Sequence, residues 1–363
     1  ESAGGGSVCM HLLSGQKTAG LFTKAIVQSA GCMQPLPTLA ESTHPSSGDA
    51  NALWFKVSQH LGCNQYGSGT AAELNCIRTK PVEALLSAQG LANSGAIMGF
   101  GPSIASGVNG TVPLTGYSSS EVAATLNRVP ILYGGTENEL RLYVAYNNLF
   151  APYWSVANIT ETDLITKWIP GFYGADITPT VANAIVNQYF TPLGRNMTGG
   201  EVGSMVSDYA PHVGINNCIF RKTANTFSQL TTVYQWEFAD PNALVLGVGI
   251  APGMDTHMEL GAVHSSELNY LFPNLSNTAA INAPDLNPTS QQLANILVKT
   301  WGSFARTGSP QTNDIATWSI FSQVSGANKV MRFESPTNIG MYNADSRHQC
   351  STFWEGQFPN LAQ

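Results

Sequence analysis

A serine flanked by small residues stands at the start of the chain, in the run Glu1-Ser2-Ala3-Gly4-Gly5-Gly6-Ser7-Val8. A serine on a tight strand-to-helix turn needs such neighbours, because larger side chains two positions away would collide with the turn. The turn presents the hydroxyl at a helix N-terminus, where the next backbone N–H can stabilise an oxyanion. With a glycine before Glu1 the run would be a nucleophile elbow, G-E-S-A-G. A flexible Gly/Ser terminus or a tag remnant is the alternative interpretation of these residues.

A serine nucleophile needs a base, and seven histidines compete for that role. His11 falls on the helix that would begin at Ser2, too far along it to reach the hydroxyl. His264 follows the small residues Gly261-Ala262-Val263 and precedes an apolar stretch that begins at Leu268, as expected for a loop that leaves a strand end. Composition therefore favours His264. His44 and His60 lie in polar or helix-surface settings, and no predicted strand end directly precedes His212, His257 or His348.

The catalytic acid should follow a strand, because α/β proteins place functional groups at the carboxyl ends of parallel strands. The predicted strand Val129–Tyr133 runs into Gly134-Gly135-Thr136-Glu137-Asn138-Glu139. Glu137 and Glu139 both fit this position, and a solvated turn carboxylate is the alternative interpretation of each.

Short apolar strands alternate with helices along the chain. Strands are predicted at Ala25–Gln28, Val129–Tyr133, Thr232–Phe238 and Lys329–Phe333. Four helices are predicted. One covers residues 52–61, one begins at Pro81, one begins after a cap at Ser119 or Ser120, and one runs from Pro288 to about Arg306. The pattern predicts an α/β fold in which helices cover a mostly parallel sheet. The long intervals 33–128 and 140–231 are predicted to be largely helical excursions that form a cap over one end of the sheet.

Residues 1–29, ESAGGGSVCMHLLSGQKTAGLFTKAIVQS, closely resemble the segment after the nucleophile in the type-B carboxylesterase and cholinesterase family of α/β-hydrolases. That family's pattern is E-S-A-G-x-x-S-V followed by L-F-x-x-A-I-x-Q-S. Further blocks agree in order: Cys63…Cys76-Ile77-Arg78, VPILYG at 129–134, GAVHSSEL at 261–268 and WGSFARTG at 301–308. The resemblance implies one α/β-hydrolase domain over residues 1–363, equivalent to the C-terminal two-thirds of such an esterase. The strands that precede the nucleophile would then be missing, so we expect the isolated chain to be inactive and poorly folded.

The resemblance also implies the catalytic roles. Ser2 is the nucleophile, Glu139 the triad acid and His264 the base, in the chain order of α/β-hydrolases. The Ala3 N–H is one oxyanion donor, and the others come from a glycine-rich loop upstream of Glu1. The family pattern G-T-x-x-D-E has Asp where this chain has Asn138, so Glu137 stays open as an alternative acid.

Three further residues resemble polar partners of the triad. Glu1 would place a carboxylate beside the nucleophile and stabilise the imidazolium. Ser29 ends a predicted strand, and Glu267 lies three residues after His264. A strand-end hydroxyl and a surface acid are the alternative interpretations of the last two.

The six cysteines form no C-x-x-C pair and show no zinc-ligand spacing, so no metal site is expected. The resemblance implies disulfides Cys63–Cys76 and Cys218–Cys350. Cys9 with Cys32 is the remaining pair, although Cys9 could instead pack within its helix. Free buried thiols are the alternative for all six.

Composition excludes several classes of protein. The net charge of −7 argues against a nucleic-acid partner. No apolar stretch approaches the roughly 20 residues of a membrane span, and no cofactor motif is present. Charged residues make up 11% of the chain, against roughly 25% in a typical domain. With the even cysteine count and four sequons, at Asn109, Asn158, Asn196 and Asn274, this predicts a secreted or extracytoplasmic glycoprotein.

Three functions remain at this point. The first is a serine carboxylesterase that hydrolyses small-molecule esters with short-to-medium acyl or aryl groups through an acyl-enzyme. The second is a lipase of the same family, which would need a large apolar entrance. The third is a non-catalytic binding or adhesion protein of the cholinesterase-like type. Such relatives typically lose the nucleophile or the histidine, and both are present here.

Overall fold

The protein is built around a five-stranded sheet. The computed structural model describes residues 1–33, 50–92, 118–145, 159–174, 177–190, 194–211, 213–245, 258–272, 285–322, 328–343 and 345–358. The strands are β1 (Ala25–Gln28), β2 (Ile131–Thr136), β3 (Val233–Phe238), β4 (Lys329–Ser335) and β5 (Asn338–Asn343). They lie side by side in that order, the first three pairings parallel and the last antiparallel. The predicted α/β fold with a mostly parallel sheet is confirmed.

Four strands coincide with the predicted apolar runs. β1 has the predicted bounds, and β2 extends three residues beyond Tyr133 to Thr136. All six β2 residues are buried, as expected for a parallel strand covered on both faces. The sequence prediction missed β5. Its residues, NIGMYN, include Asn and Gly, which are depleted in strands, and it forms by pairing with β4 at the edge of the sheet.

Helices lie between the strands along the described parts of the chain, and none of them is long and apolar enough to cross a membrane. They are α1 (Ser2–Leu12), α2 (Ala50–His60), α3 (Ala71–Arg78), α4 (Val82–Ala92), α5 (Ser119–Thr125), α6 (Arg141–Ala145), α7 (Glu161–Asp163), α8 (Ile169–Tyr173), α9 (Pro179–Tyr189), α10 (Gly199–Asp208), α11 (Asn217–Ser228), α12 (Leu268–Leu271), α13 (Pro288–Thr307), α14 (Asp345–His348) and α15 (Glu355–Gln357). Short 3-10 turns at Gly15–Lys17 and Asn64–Tyr66 and π-helical turns at Leu164–Trp168 and Cys350–Trp354 complete them.

The start of α5 differs from the prediction by one residue. Its cap is Ser118 and not Ser119 or Ser120. The Ser118 hydroxyl accepts a hydrogen bond from the Glu121 N–H at 3.3 Å, and the Glu121 carboxylate accepts one from the Ser118 N–H at 3.2 Å. This reciprocal arrangement satisfies two N–H groups that the helix itself leaves unpaired.

The long helix α13 packs on one face of the sheet. Its buried side chains recur every three or four residues, the spacing of a single helix face: Leu293, Ala294, Leu297, Trp301 and Phe304. They share a core with Trp236 of β3 and Phe333 of β4. A second core, formed by α8 to α11, includes Trp354 and the Cys218–Cys350 disulfide. The sheet is thus anchored by large apolar side chains.

All six cysteines are paired. The disulfides Cys63–Cys76, Cys218–Cys350 and Cys9–Cys32 close intervals of 13, 132 and 23 residues. The pairings predicted from the resemblance are therefore confirmed, and so is the remaining pair.

The chain divides into two compact units, residues 1–34 with 126–363, and residues 35–125. The first contains the sheet. In the second, α2, α3 and α4 enclose a small core around Val57, Leu61 and Ile77. Glu73 is fully buried there and accepts hydrogen bonds from Trp54 Nε1 and Ser58 Oγ. The described parts of the two long intervals are largely helical; their role as a cap stays a prediction.

Candidate active site

Ser2 lies at the N-terminus of α1, which runs against the end of β1. Its φ is 52°, a left-handed conformation that costs energy for any residue other than glycine. One turn later, a Cβ on Gly5 would lie 2.7 Å from Ala30 Cβ and 2.8 Å from the Gln28 carbonyl oxygen. The absence of a side chain at Gly5 therefore allows the close approach of helix and strand that positions Ser2.

Two hydrogen bonds join three side chains that are far apart in sequence. Ser2 Oγ lies 2.8 Å from His264 Nε2, and Glu139 Oε2 lies 2.6 Å from His264 Nδ1. A neutral imidazole that donates from Nδ1 to the carboxylate leaves Nε2 free to accept the serine proton. The arrangement is competent for nucleophilic catalysis.

Glu139 is fixed on the turn after β2. It is fully buried, and its Oε1 accepts a hydrogen bond from the Thr136 N–H at 2.8 Å. A Cβ on Gly135 would lie only 2.4 Å from that same oxygen, so glycine there makes room for the carboxylate. The His264 N–H also donates to the Glu139 carbonyl oxygen at 3.3 Å, which ties the two loops together.

Glu137 faces a different environment. Its carboxylate pairs with Arg332 at 3.1 Å and with Arg347. The structure therefore brings Glu139, and not Glu137, to His264.

His348 lies buried between two other carboxylates. Its Nδ1 is 2.6 Å from Asp208 Oδ1, and its Nε2 contacts Glu237. Burial alone would lower the pKa of His348, but the two carboxylates raise it to about 10. Burial would raise the pKa of Glu237, but His348 and Arg332 lower it to about 2. The ring is a structural ion-pair partner and lies apart from Ser2.

The pKa of His264 is set by opposing effects. Burial lowers it, because the charged ring loses its water. Attraction to Glu139, and then to Glu1 and Glu267, outweighs this effect, so the pKa lies above its ordinary value. The surrounding carboxylates thus favour the charged form of the His264 ring.

Glu1 reaches the other edge of the imidazole. Its Oε1 lies 3.2 Å from His264 Nε2 and accepts a hydrogen bond from Ser265 Oγ at 2.7 Å. Sequence reasoning missed Ser265; the only signal was its position directly after His264.

Glu267 and Ser29 are both buried, and the Glu267 carboxylate is close enough to raise the pKa of His264. Glu267 Oε1 accepts from Gln28 Nε2 at 2.8 Å, and Trp301 Nε1 donates to Gln28 Oε1 at 3.0 Å. Burial, together with repulsion from the nearby carboxylates Glu1 and Glu139, raises the pKa of Glu267 to about 7. Ser29 has a φ of 48°, and its hydroxyl makes no hydrogen bond among the described residues. Glu267 is thus a buried acid, and no hydrogen bond links the Ser29 hydroxyl to the triad.

Two further residues shape the site: Asn138, which sequence reasoning noted only as a departure from the family pattern, and Tyr143, which it missed. Asn138 joins the acid loop to the histidine loop: its N–H donates to the Ala262 carbonyl at 2.9 Å, and its Oδ1 accepts from the Ala262 N–H at 3.2 Å. The Tyr143 ring packs against His264, with 5.8 Å between the ring centroids.

The Ala3 N–H belongs to the first turn of α1, where N–H groups have no acceptor within the helix. Donation from this N–H to an oxyanion at Ser2 stays a prediction. The described residues contain no group of three or more His, Cys, Asp or Glu side chains that could bind a metal ion.

A mostly parallel sheet whose loops bring a serine, a histidine and a glutamate together defines the α/β-hydrolase class. The chain belongs to the carboxylesterase family, whose sequence model matches residues 1–354.

The relatives are distant but aligned over nearly the whole chain. Carboxylesterase 3 of Pongo abelii is 23% identical over 367 residues, and acetylcholinesterase 1 of Caenorhabditis elegans is 24% identical over 388. Human carboxylesterase 3 is 22% identical over 367 residues. Each alignment covers 99% of this chain and 57% of the relative, so the chain spans little more than half the length of these relatives.

Proposed function

We propose that this protein is a serine carboxylic-ester hydrolase that acts through an acyl-enzyme. The observation that carries the proposal is the unbroken hydrogen-bond chain from Ser2 through His264 to the buried Glu139. Family membership supports the same reaction class.

The reaction proceeds in two halves. Ser2 Oγ attacks the ester carbonyl carbon while its proton passes to His264 Nε2, and the Ala3 N–H stabilises the oxyanion. The intermediate collapses, the alcohol leaves with the proton from His264, and the acyl group stays on Ser2. Water then attacks the acyl-enzyme and gives a proton to His264; the bond to Ser2 Oγ breaks, His264 returns the proton to Ser2 Oγ, and the carboxylic acid is released. Glu139 orients the imidazole and stabilises its positive charge throughout.

We infer small-molecule esters with short-to-medium acyl or aryl groups as substrates; the two relatives named carboxylesterase 3 support carboxylic esters as the general class. A series of p-nitrophenyl esters, from acetate to palmitate, tests it in the full-length natural protein. We expect kcat/KM to be highest for the shorter chains. A preference for emulsified long-chain esters would indicate a lipase instead.

The decisive variant is Ser2→Ala, which should lower kcat by about 10³-fold or more. Ser7→Ala is the matched control, because Ser7 is an exposed serine on the same helix whose hydroxyl donates, within the described residues, to the Ala3 carbonyl oxygen of the helix backbone. Folded wild-type protein without turnover would favour the non-catalytic binding function.

We also propose a secreted or extracytoplasmic location. Three disulfides support it, since such bonds persist in oxidising compartments. Of the four sequons, only Asn196 lies in the described residues, where it is exposed; Asn109, Asn158 and Asn274 lie outside them. Enzymatic removal of N-glycans should increase the gel mobility of the secreted protein, and Asn196→Gln should remove one glycan. Unchanged mobility in Asn196→Gln would refute modification at this residue.

A further inference from the structure

We propose that Ser265 is a positioning residue: its hydroxyl holds the Glu1 carboxylate against the Nε2 edge of His264. The inference rests on the proposed function, because it assigns Glu1 and Ser265 a part in stabilising the catalytic imidazolium.

The backbone of Ser265 is the first observation. Its φ is 68°, in the left-handed region where a Cβ is unfavourable. At nine other described positions with positive φ the chain has glycine. Ser2, Ser29 and Gln349 are the other described non-glycine residues with positive φ, so the role of the Ser265 side chain has to come from its contacts.

The contacts of the hydroxyl supply that role. Ser265 Oγ donates to Glu1 Oε1 at 2.7 Å, and the same oxygen lies 3.2 Å from His264 Nε2. Only 14% of the Glu1 side chain is exposed. One carboxylate oxygen is thus fixed between a serine hydroxyl and the ring nitrogen that receives the proton.

The charges around His264 determine what this contact does. Glu139 faces Nδ1 from the turn after β2, Glu1 faces Nε2 from the start of α1, and Glu267 follows on the histidine loop. Tyr143 packs on the ring from α6. Glu139 is held by the Thr136 N–H, and Glu267 by Gln28. Ser265 does for Glu1 what these groups do for the other two carboxylates.

Without the hydroxyl, the Glu1 carboxylate is free to turn toward water, where its charge is screened. The imidazolium then loses part of its stabilisation on the Nε2 side. The pKa of His264 should fall, and proton transfer from Ser2 should become less favourable.

The first test uses Ser265→Gly, which removes the hydroxyl and at the same time relieves the backbone. We expect the acid limb of the kcat/KM profile to move down by about 0.5 pH unit and kcat to fall about threefold. Thermal stability should be equal to or above that of the wild type. If Ser265 acted only on the backbone, glycine would preserve both kinetic values.

Glu1→Gln supplies the double-mutant cycle. It should shift the acid limb in the same direction, and adding Ser265→Gly should cause no further shift. A full additional shift in the double variant would overturn the proposal, as would an unmoved acid limb in Ser265→Gly. Ser266→Ala is the matched control, because Ser266 is buried and its hydroxyl has no partner among the described residues; it should leave the acid limb in place.

A measurement that does not need turnover separates this proposal from the proposed function. The pKa of His264 can be followed by NMR in protein labelled at histidine, with the resonance assigned by its loss in His264→Gln. Ser265→Gly should lower this pKa whether or not the protein hydrolyses esters. An unchanged pKa refutes the role of Ser265, whereas a lowered pKa without ester turnover refutes only the hydrolase function.

Discussion

Replacing Gly5 with alanine should displace Ser2 from His264. The added Cβ would lie 2.7 Å from Ala30 Cβ and 2.8 Å from the Gln28 carbonyl oxygen, whereas carbon atoms in contact prefer about 3.5–4.0 Å. Because one obstacle is backbone, α1 has to move by roughly 1 Å away from β1 to reach such contact distances.

Two energies then oppose each other. Alanine gains about 1 kcal/mol over glycine in a helix, and the overlap costs about 1–3 kcal/mol. The free energy of unfolding should therefore fall by up to about 2 kcal/mol. Activity should suffer more, because a 1 Å misplacement of a catalytic group costs about 10²-fold in rate.

Gly6→Ala is the matched control. Among the described residues nothing lies within 4 Å of a Cβ at Gly6, so this variant should keep its activity and gain about 1 kcal/mol of stability. Urea unfolding and p-nitrophenyl ester hydrolysis, measured on both variants, make the comparison. If Gly5→Ala is as active and as stable as Gly6→Ala, the close approach of α1 and β1 does not position the nucleophile.

Three further predictions concern the acid, a buried histidine and a disulfide. Glu139→Gln should lower kcat by about 10³- to 10⁴-fold. Glu137→Gln should stay within about threefold of wild type, because the Glu137 carboxylate pairs with arginines. A near-normal kcat in Glu139→Gln would refute Glu139 as the triad acid. The pKa of His348 is about 10 in the folded protein against 6.5 unfolded. The protonated ring therefore makes its full contribution to the free energy of unfolding below pH 6.5, and this contribution is lost as the pH rises through 10. His348→Gln should be about 3 kcal/mol less stable at pH 6, with a flatter profile up to pH 10.5 in urea unfolding; an unchanged profile would contradict the ion pairs. Replacing Cys218 and Cys350 by alanine should cost about 4 kcal/mol, because the bond closes an interval of 132 residues; a change in Tm below 2 °C would contradict this.

The sequence predicted those parts of the fold that residue type determines locally. β1 to β4 are short runs rich in β-branched, aromatic and other apolar residues, most of which are buried. The start of α13 was predictable from Pro288, and its end from Gly308, which has a φ of 81°. β5 was not predictable, because its residues favour no strand and its pairing with β4 supplies the stabilisation.

The candidate site was predictable only where a motif marks it. The runs around Ser2 and His264 are long enough to be recognised, but Glu137 and Glu139 differ only in the direction in which each leaves the turn after β2. Ser265 contacts Glu1 across 264 residues, so no local pattern could reveal the bond.

The central claim is that His264, oriented by Glu139, activates Ser2 as a nucleophile, and covalent labelling tests it most directly. The full-length natural protein should react with a fluorophosphonate probe, and peptide mass spectrometry should place the adduct on Ser2. Ser2→Ala and His264→Gln should abolish labelling, and Ser7→Ala should label as the wild type does. An adduct on another serine, or undiminished labelling of Ser2→Ala, would contradict the account.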